Sequence, residues 1–80
     1  MMARQAIFDL IETERAAQDA KWGGPEHDDA HQMNDFIAYI TKHAGRAVDA
    51  KSHEVRDHMI RIAALAVAVV EKIERSPEEG

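Results

Sequence analysis

The amino-acid sequence predicts an all-α protein that forms a single domain, residues 1–80, and three observations lead to this fold class. Apolar residues recur at helical spacing in two segments, which a polar connector with glycine and proline separates. A third segment, residues 59–70, is apolar throughout except for Arg61. No segment shows the alternation of apolar and polar residues that is typical of a β-strand. We therefore expect a three-helix chain.

The first helix is predicted from about residue 2 to residue 21. The apolar positions that fit one helical face are Ile7, Leu10, Ile11 and Ala17. The residues that mark another, polar face are Glu14, Arg15, Gln18 and Lys21. We expect the helix to end at residues 23–25, because two glycines followed by a proline do not continue a helix.

The second helix is predicted to begin between Asp29 and Asn34, where an Asp or Asn side chain can cap the exposed amides. Its apolar positions are Phe36, Ile37, Ile40, Ala44, Ala47 and Val48. Gly45 inside this helix costs about 1 kcal/mol relative to alanine. We therefore expect another group to approach the backbone closely there. Residues 49–53 form the next turn.

The third helix is predicted to start with Ser52 as its N-cap, to extend to about Arg75 and to leave residues 76–80 as a frayed tail. Apart from Arg61, its middle has no polar face. A surface helix buries a stripe of roughly 100°, so this helix has to be covered on every side. Because the chain contains no cysteine, self-association is the simplest supplement to a small core. We expect a homo-oligomer, a dimer or tetramer, in which the third helices of two chains pack together.

The formal charge of −5 at pH 7 argues against general binding of nucleic acid or of anionic membranes. The apolar run of about 12 residues is shorter than the roughly 20 that a membrane span requires. The N-terminus lacks the pattern of a signal peptide. These observations predict a soluble, cytoplasmic protein. Its central band is nevertheless mostly basic and contains Lys42, His43, Arg46, Lys51, Arg56, His58 and Arg61.

Two polar triplets within this band form the candidate ligand site. The residues at helical spacing are Lys42, His43 and Arg46 on the second helix and Asp57, His58 and Arg61 on the third. If the helices pack antiparallel, the triplets can lie opposite each other and bind phosphate, for which Arg and Lys are natural ligands. The alternative is a solvated helix face with an ion pair of the Asp57–Arg46 type. We expect Arg61 to be buried and to need an anionic partner.

Aromatic and acidic side chains supply two further candidates. Tyr39 and Trp22 could each stack on a nucleobase, although a tryptophan at a helix end more often anchors a loop to the core. The connector carries ligand types that suit a transition metal, Glu26, His27, Asp28, Asp29 and His31, and similar residues elsewhere are His53, Asp57 and His58. Because no metal-binding spacing is present, we interpret the connector as a solvated capping loop and predict no bound metal.

The segment Glu14-Arg15-x-x-Gln18-x-x-Lys21-Trp22-Gly23, followed by His27-Asp28, resembles the N-terminal signature of phage and bacterial proteins related to the MazG-like all-α nucleotide pyrophosphohydrolases. The resemblance covers about residues 11–74. It implies a helical dimer or tetramer that hydrolyses nucleoside triphosphates with magnesium. The acidic pattern of that family, E-E-x-x-E and E-x-x-D, would fall at Lys42, His43 and Arg46 and near His58 and Arg61.

None of these positions holds a carboxylate, and Asp57 is the only acid nearby. Magnesium requires hard oxygen ligands, so the family's metal site cannot form and no cofactor is expected. The hypothesis is that the chain is a catalytically degenerate MazG-like protein that binds a nucleotide or another phosphorylated small molecule. In a phage setting, such a protein would sequester a nucleotide signal. Two alternatives remain open. One is a residual pyrophosphohydrolase that uses Asp57, Glu54 and the connector, and the other is a helical protein-interaction module.

Overall fold

The structure of the protein, a computed structural model, describes residues 3–22 and 33–75. These residues form helix α1, Arg4–Trp22, helix α2, Met33–Ala47, and helix α3, Ser52–Glu74. No strand occurs in these two segments. The predicted all-α fold is therefore confirmed. The predicted break at residues 23–25 and the predicted tail at residues 76–80 lie outside the described residues.

Helix α3 is the central element, because both other helices pack on it. Within the described part of the chain, α1 and α2 approach each other nowhere closer than 8 Å between Cα atoms. Helix α2 runs antiparallel to α3, since Phe36 near its start packs with Leu65 and Ala68 while His43 near its end contacts His58. Helices α1 and α2 thus cover α3 on two sides.

The hydrophobic core lies between α2 and α3. Phe36 and Leu65 are fully buried large side chains, and Ala68 packs with them. The small alanine side chain lets the two helices come close enough for the Phe36 ring to be covered completely. Burying a phenylalanine or leucine side chain contributes about 1.5–3 kcal/mol. Ile40 and Val69 extend this contact as partly buried neighbours.

The face that α1 turns towards α3 is apolar at one end and polar at the other. Gln18 is buried, with 6% of its surface exposed, whereas Ile7 and Phe8 are exposed. The Arg15 side chain is 11% exposed and reaches Glu71 on α3, 3.2 Å from Nη2 to Oε1. The apolar and polar faces read from the sequence therefore do not divide α1 into a buried and an exposed side. Polar residues are tolerated inside because they satisfy one another's hydrogen bonds.

Two local expectations are wrong. Ser52 is the first residue of α3 and not its N-cap, because the amides of Glu54 and Val55 both donate to the carbonyl oxygen of Lys51 at 2.9 Å. Lys51 is the N-cap residue, and no side chain caps the helix there. At Gly45, no atom lies within 4 Å of the position that a Cβ would occupy, so the expected close approach is absent from this chain. The physical reason is that Gly45 lies on the exposed side of α2.

The cover over α3 is incomplete within one chain. Its residues Met59, Val67, Val70 and Ile73 are exposed, with Val70 at 56%. Arg61 is also exposed within one chain, and its burial in a core shared between copies stays a prediction. Two flanking helices cover only the sectors that face them, and Arg61 lies between those sectors. Among the described helices, none combines the length and the apolar character that crossing a membrane requires.

Candidate functional site

A contact between two histidines brings the α2 and α3 triplets together. The Nδ1 atoms of His43 and His58 are 3.1 Å apart, and the ring centroids are 5.3 Å apart with the planes tilted by 45°. The antiparallel packing of α2 and α3 produces this contact, because it places the last turns of α2 beside the first turns of α3. At this distance, one ring nitrogen donates and the other accepts, so the pair holds at most one proton beyond its neutral form.

The surroundings of His43 are strongly cationic. Its pKa is lowered by burial first, and then by the charges of His58, Arg61, Arg46 and Lys42. Within the described segments, no carboxylate forms an ion pair with Lys42, Arg46 or Arg61. Positive charge therefore accumulates around the histidine pair without local neutralisation. This arrangement favours an anion as the missing partner.

A cleft of about 330 Å³ opens beside this cluster, where the three helices meet. Its lining residues are Glu14, Ala17, Gln18 and Lys21 from α1, Tyr39 and His43 from α2, and Arg61 and Leu65 from α3. The volume is at the lower end of the range that small-molecule sites occupy, about 300–1,000 Å³. Of the residues proposed from the sequence, Tyr39, His43 and Arg61 line this cleft directly. The apolar floor is Leu65, which also belongs to the core.

The remaining members of the predicted site occupy other positions. Lys42 and Arg46 are exposed on α2 and do not line the cleft, so they act on it through their charge. His58 joins the cleft only through its contact with His43. The side chain of Trp22 and the whole connector, including Glu26, His27, Asp28, Asp29 and His31, lie outside the described residues.

Asp57 is separate from the cationic cluster. Its carboxylate pairs with Arg56 on its own helix, at 3.7 Å from Oδ1 to Nη1, and both side chains are more than half exposed. The Asp57–Arg46 ion pair of the alternative interpretation is therefore absent, because Asp57 is turned towards α1. It lines a second cleft of about 330 Å³ whose other walls are Leu10, Thr13, Glu14, Arg56, Ile60 and Arg61. Around neither cleft do three or more His, Asp or Glu side chains of the described segments form a metal-binding group.

The α1 wall is the part of the site that sequence reasoning missed. Glu14, Gln18 and Lys21 occupy one helical face at spacings of four and three, which places them along the same cleft. The signal was present in the E-R-x-x-Q-x-x-K-W segment. It pointed to a family resemblance, but the residues in it were not assigned to a surface, since polar periodicity alone does not show which neighbour a helix face meets.

Comparisons of the chain with protein families, with curated protein sequences and with solved structures find no match. The chemistry of the cleft is therefore inferred from its own side chains. These are an arginine, a histidine and a lysine, one carboxylate, one buried amide and one phenol. Such a set can bind an anion and can orient a hydrogen-bonding ligand, but it offers no cysteine or serine nucleophile.

Proposed function

We propose that the protein binds a phosphorylated small molecule, most specifically a nucleotide, in the cleft between its helices and does not hydrolyse it. The observation that carries this proposal is Arg61, which lines the cleft beside His43 with no described carboxylate paired to it. A guanidinium group offers a planar fork of N–H donors that matches two phosphate oxygens. A phosphate group there would neutralise the cluster that Arg61 forms with His43, Arg46 and Lys42.

The aromatic wall supports a nucleotide over a bare anion. Tyr39 is partly exposed and lines the same cleft as Arg61, so a base can stack on its ring while the phosphate group contacts Arg61. Base stacking on an aromatic side chain is worth about 1–3 kcal/mol, and each charge-assisted hydrogen bond about 1.5–3 kcal/mol.

Binding without hydrolysis follows from the side chains that surround the histidine pair. Magnesium-dependent hydrolysis would need carboxylates where this chain has Lys42, His43, Arg46, His58 and Arg61. The resemblance to MazG-like proteins, together with these replacements, supports a degenerate member of that family that sequesters a nucleotide in a phage setting. We accordingly propose that it acts in the cytoplasm, where such nucleotides occur. No release of pyrophosphate from any common nucleoside triphosphate is expected, with or without magnesium.

Calorimetric titration with a panel of linear and cyclic nucleotides tests this proposal. Arg61→Ala should weaken binding about tenfold or more, because it removes a charge-assisted contact. Arg46→Ala should cause a smaller loss, since Arg46 does not line the cleft. Arg4→Ala, at the exposed start of α1, is the matched control and should leave the affinity unchanged. Absence of binding, or binding that is insensitive to Arg61→Ala, would overturn the proposal in favour of a solvated basic face.

We further propose that two copies of the chain associate through the outer surface of α3. This surface carries the exposed Val67 and Val70 and a groove of about 540 Å³ lined by Ala66, Val67, Val70, Glu71, Glu74 and Arg75. The core inside one chain is small, so a second apolar contact would supply stability that a marginal 80-residue domain needs. Oligomerisation of this kind is compatible with a dimer or a tetramer.

Sedimentation distinguishes this assembly from a monomer. A species larger than 9.0 kDa is expected at micromolar concentration, and Val70→Glu should dissociate it by placing a charge in an apolar contact. Leu65→Glu, in contrast, reports on the fold, because Leu65 is buried within its own chain. A folded wild-type monomer over the whole concentration range would contradict the proposed association.

A further inference from the structure

Glu14 and Arg61 are opposite charges that share two clefts without meeting. Both residues line the cleft beside His43, and both line the second cleft beside Asp57. No ion pair within 4.0 Å joins the Glu14 carboxylate to the Arg61 guanidinium. Because the two opposite charges line the same clefts without contacting each other, a ligand that lies between them can contact both. A ligand that satisfies this pair must accept hydrogen bonds at one end and donate them at the other.

A chain of hydrogen bonds holds the Glu14 carboxylate in place. Gln18 donates from Nε2 to Oε2 of Glu14 at 3.2 Å, and Oε1 of Gln18 accepts from Nη1 of Arg15 at 3.2 Å. Arg15 is in turn fixed by Asp19 on its own helix, at 2.9 Å, and by Glu71 on α3. Because Gln18 is buried, its hydrogen bond holds this oxygen of the Glu14 carboxylate in a fixed position.

The second oxygen of Glu14, Oε1, has no hydrogen-bond partner among the described residues. A fixed carboxylate oxygen at the wall of a cleft is an acceptor for hydroxyl or amino groups, and it repels phosphate oxygens. Its presence is therefore unfavourable for inorganic phosphate and favourable for a ligand that carries neighbouring hydroxyl groups away from its phosphate. Acidic side chains hold the hydroxyl groups of ribose in this way in dinucleotide-binding proteins.

We infer that Glu14 is a specificity-determining residue that binds the ribose hydroxyl groups of a ribonucleoside monophosphate whose phosphate group contacts Arg61 and His43. The inference rests on the proposed function and adds the class of ligand to it. The cleft of about 330 Å³ accommodates a mononucleotide. In this orientation, the ligand spans from α1 to α3 and joins the two charges that the protein itself leaves apart.

The test compares ribose with dideoxyribose. Calorimetric titrations use the wild-type protein, Glu14→Gln and Arg61→Gln. The ligands are the 5′-monophosphates of adenosine, guanosine, cytidine and uridine, their 2′,3′-dideoxy counterparts and inorganic phosphate. In the wild type, the tightest ribonucleotide should bind about tenfold more tightly than its dideoxy form, because the contact between the hydroxyl groups and the carboxylate is charge-assisted. Glu14→Gln should remove this preference, so that the ribose and dideoxyribose forms bind to the variant with affinities within about twofold of each other.

Arg61→Gln should weaken the ribose and dideoxyribose forms equally, which separates the two ends of the ligand. If nucleotides bind in an Arg61-dependent manner but ribose and dideoxyribose forms bind alike, the role of Glu14 is overturned and the proposed function stands. Inorganic phosphate that binds as tightly as the ribonucleotides would overturn the role of Glu14 as well. If no phosphorylated ligand binds, the proposed function fails and this inference fails with it. The wild-type comparison needs no variant, so a folding defect in Glu14→Gln would not prevent the test.

Discussion

Against α2, helix α3 presents Leu65 and Ala68, which enclose the Phe36 ring in an interface with no polar group among its buried residues. Against α1, the same helix presents Glu71, which accepts hydrogen bonds from Arg15. Among the α1 side chains that the structure describes, the most deeply buried is the amide of Gln18. One interface is therefore stabilised by the removal of apolar surface from water, and the other by hydrogen bonds to charged groups.

This difference explains where the cleft lies. Apolar side chains at an interface pack until no void remains, because each void removes van der Waals contacts. A polar interface needs only its hydrogen bonds to be formed. The contact of α1 with α3 therefore does not require α1 to pack against α2. The cleft opens where the polar wall of α1 faces the end of the apolar interface, with Leu65 as its floor and Glu14 and Arg61 on its sides. The cleft is a consequence of unlike packing on the two sides of α3.

Truncation of the apolar interface should have the largest effect on stability. Phe36→Ala leaves a cavity beside Leu65 and Ala68, and we expect the free energy of unfolding in urea to fall by about 3–5 kcal/mol. For so small a domain, this loss is a large fraction of the total stability. The matched control is Ile37→Ala on the same helix, where the side chain is 49% exposed and a change below about 1 kcal/mol is expected. Equal losses for both variants would show that the α2–α3 contact is not the core.

Truncation of the polar interface should cost less. Arg15→Met keeps the apolar stem of the side chain but removes its hydrogen bonds to Gln18, Asp19 and Glu71. We expect a loss of about 1–2 kcal/mol in urea unfolding, because hydrogen bonds to charged groups contribute more than neutral ones while Glu71 remains half exposed to water. Arg4→Met, at the exposed first residue of α1, is the control and should change stability by less than about 0.5 kcal/mol. A loss as large as that of Phe36→Ala would mean that the two interfaces do not differ in the way described.

The all-α fold could be read from the sequence because helical periodicity reports directly on which residues share a face. The spacing predicted Phe36 and Ile40 among the apolar positions of α2, and both pack in the core, whereas Ile37 and Val48 of the same predicted set are exposed. The orientation of α1 could not be read in the same way. Its sequence offers both an apolar stripe with Ile7 and a polar stripe with Gln18, and which stripe is buried depends on whether α3 supplies a partner for Arg15. A pairing such as Arg15 with Glu71 joins residues that are distant in sequence, so local spacing contains no information about it.

The candidate site was likewise predictable from the sequence only in part. His43 and Arg61 were proposed from charge and spacing, and the antiparallel packing of α2 and α3 places both at one cleft. The expected burial of Arg61 in a core shared between copies stays a prediction, because within one chain the side chain is exposed. Glu14 was missed because it comes to the cleft only through the inward rotation of the polar face of α1.

The pH dependence of stability gives the smallest expected effect and tests the cationic side of the cleft. Burial and then the charges of His58, Arg61, Arg46 and Lys42 lower the pKa of His43 from 6.5, while Glu14 and Lys21 of α1 line the same cleft. Below pH 6.5, the unfolded chain therefore takes up a proton at this position that the folded chain does not. Stability is fully present above that pH and is lost as the pH falls towards and through the lowered pKa.

Urea unfolding at several values between about pH 7.5 and about pH 5 measures this loss. His43→Gln should make the free energy of unfolding less dependent on pH over this range, because it removes the group whose protonation differs between the folded and unfolded states. His53→Gln, at an exposed position on the first turn of α3, is the control and should retain the wild-type slope. Added phosphate should reduce the loss in the wild type, since an anion beside Arg61 offsets the charge that disfavours protonated His43. An identical slope in the wild type and in His43→Gln would show that the histidine pair and its cations do not control the stability of this side of the molecule.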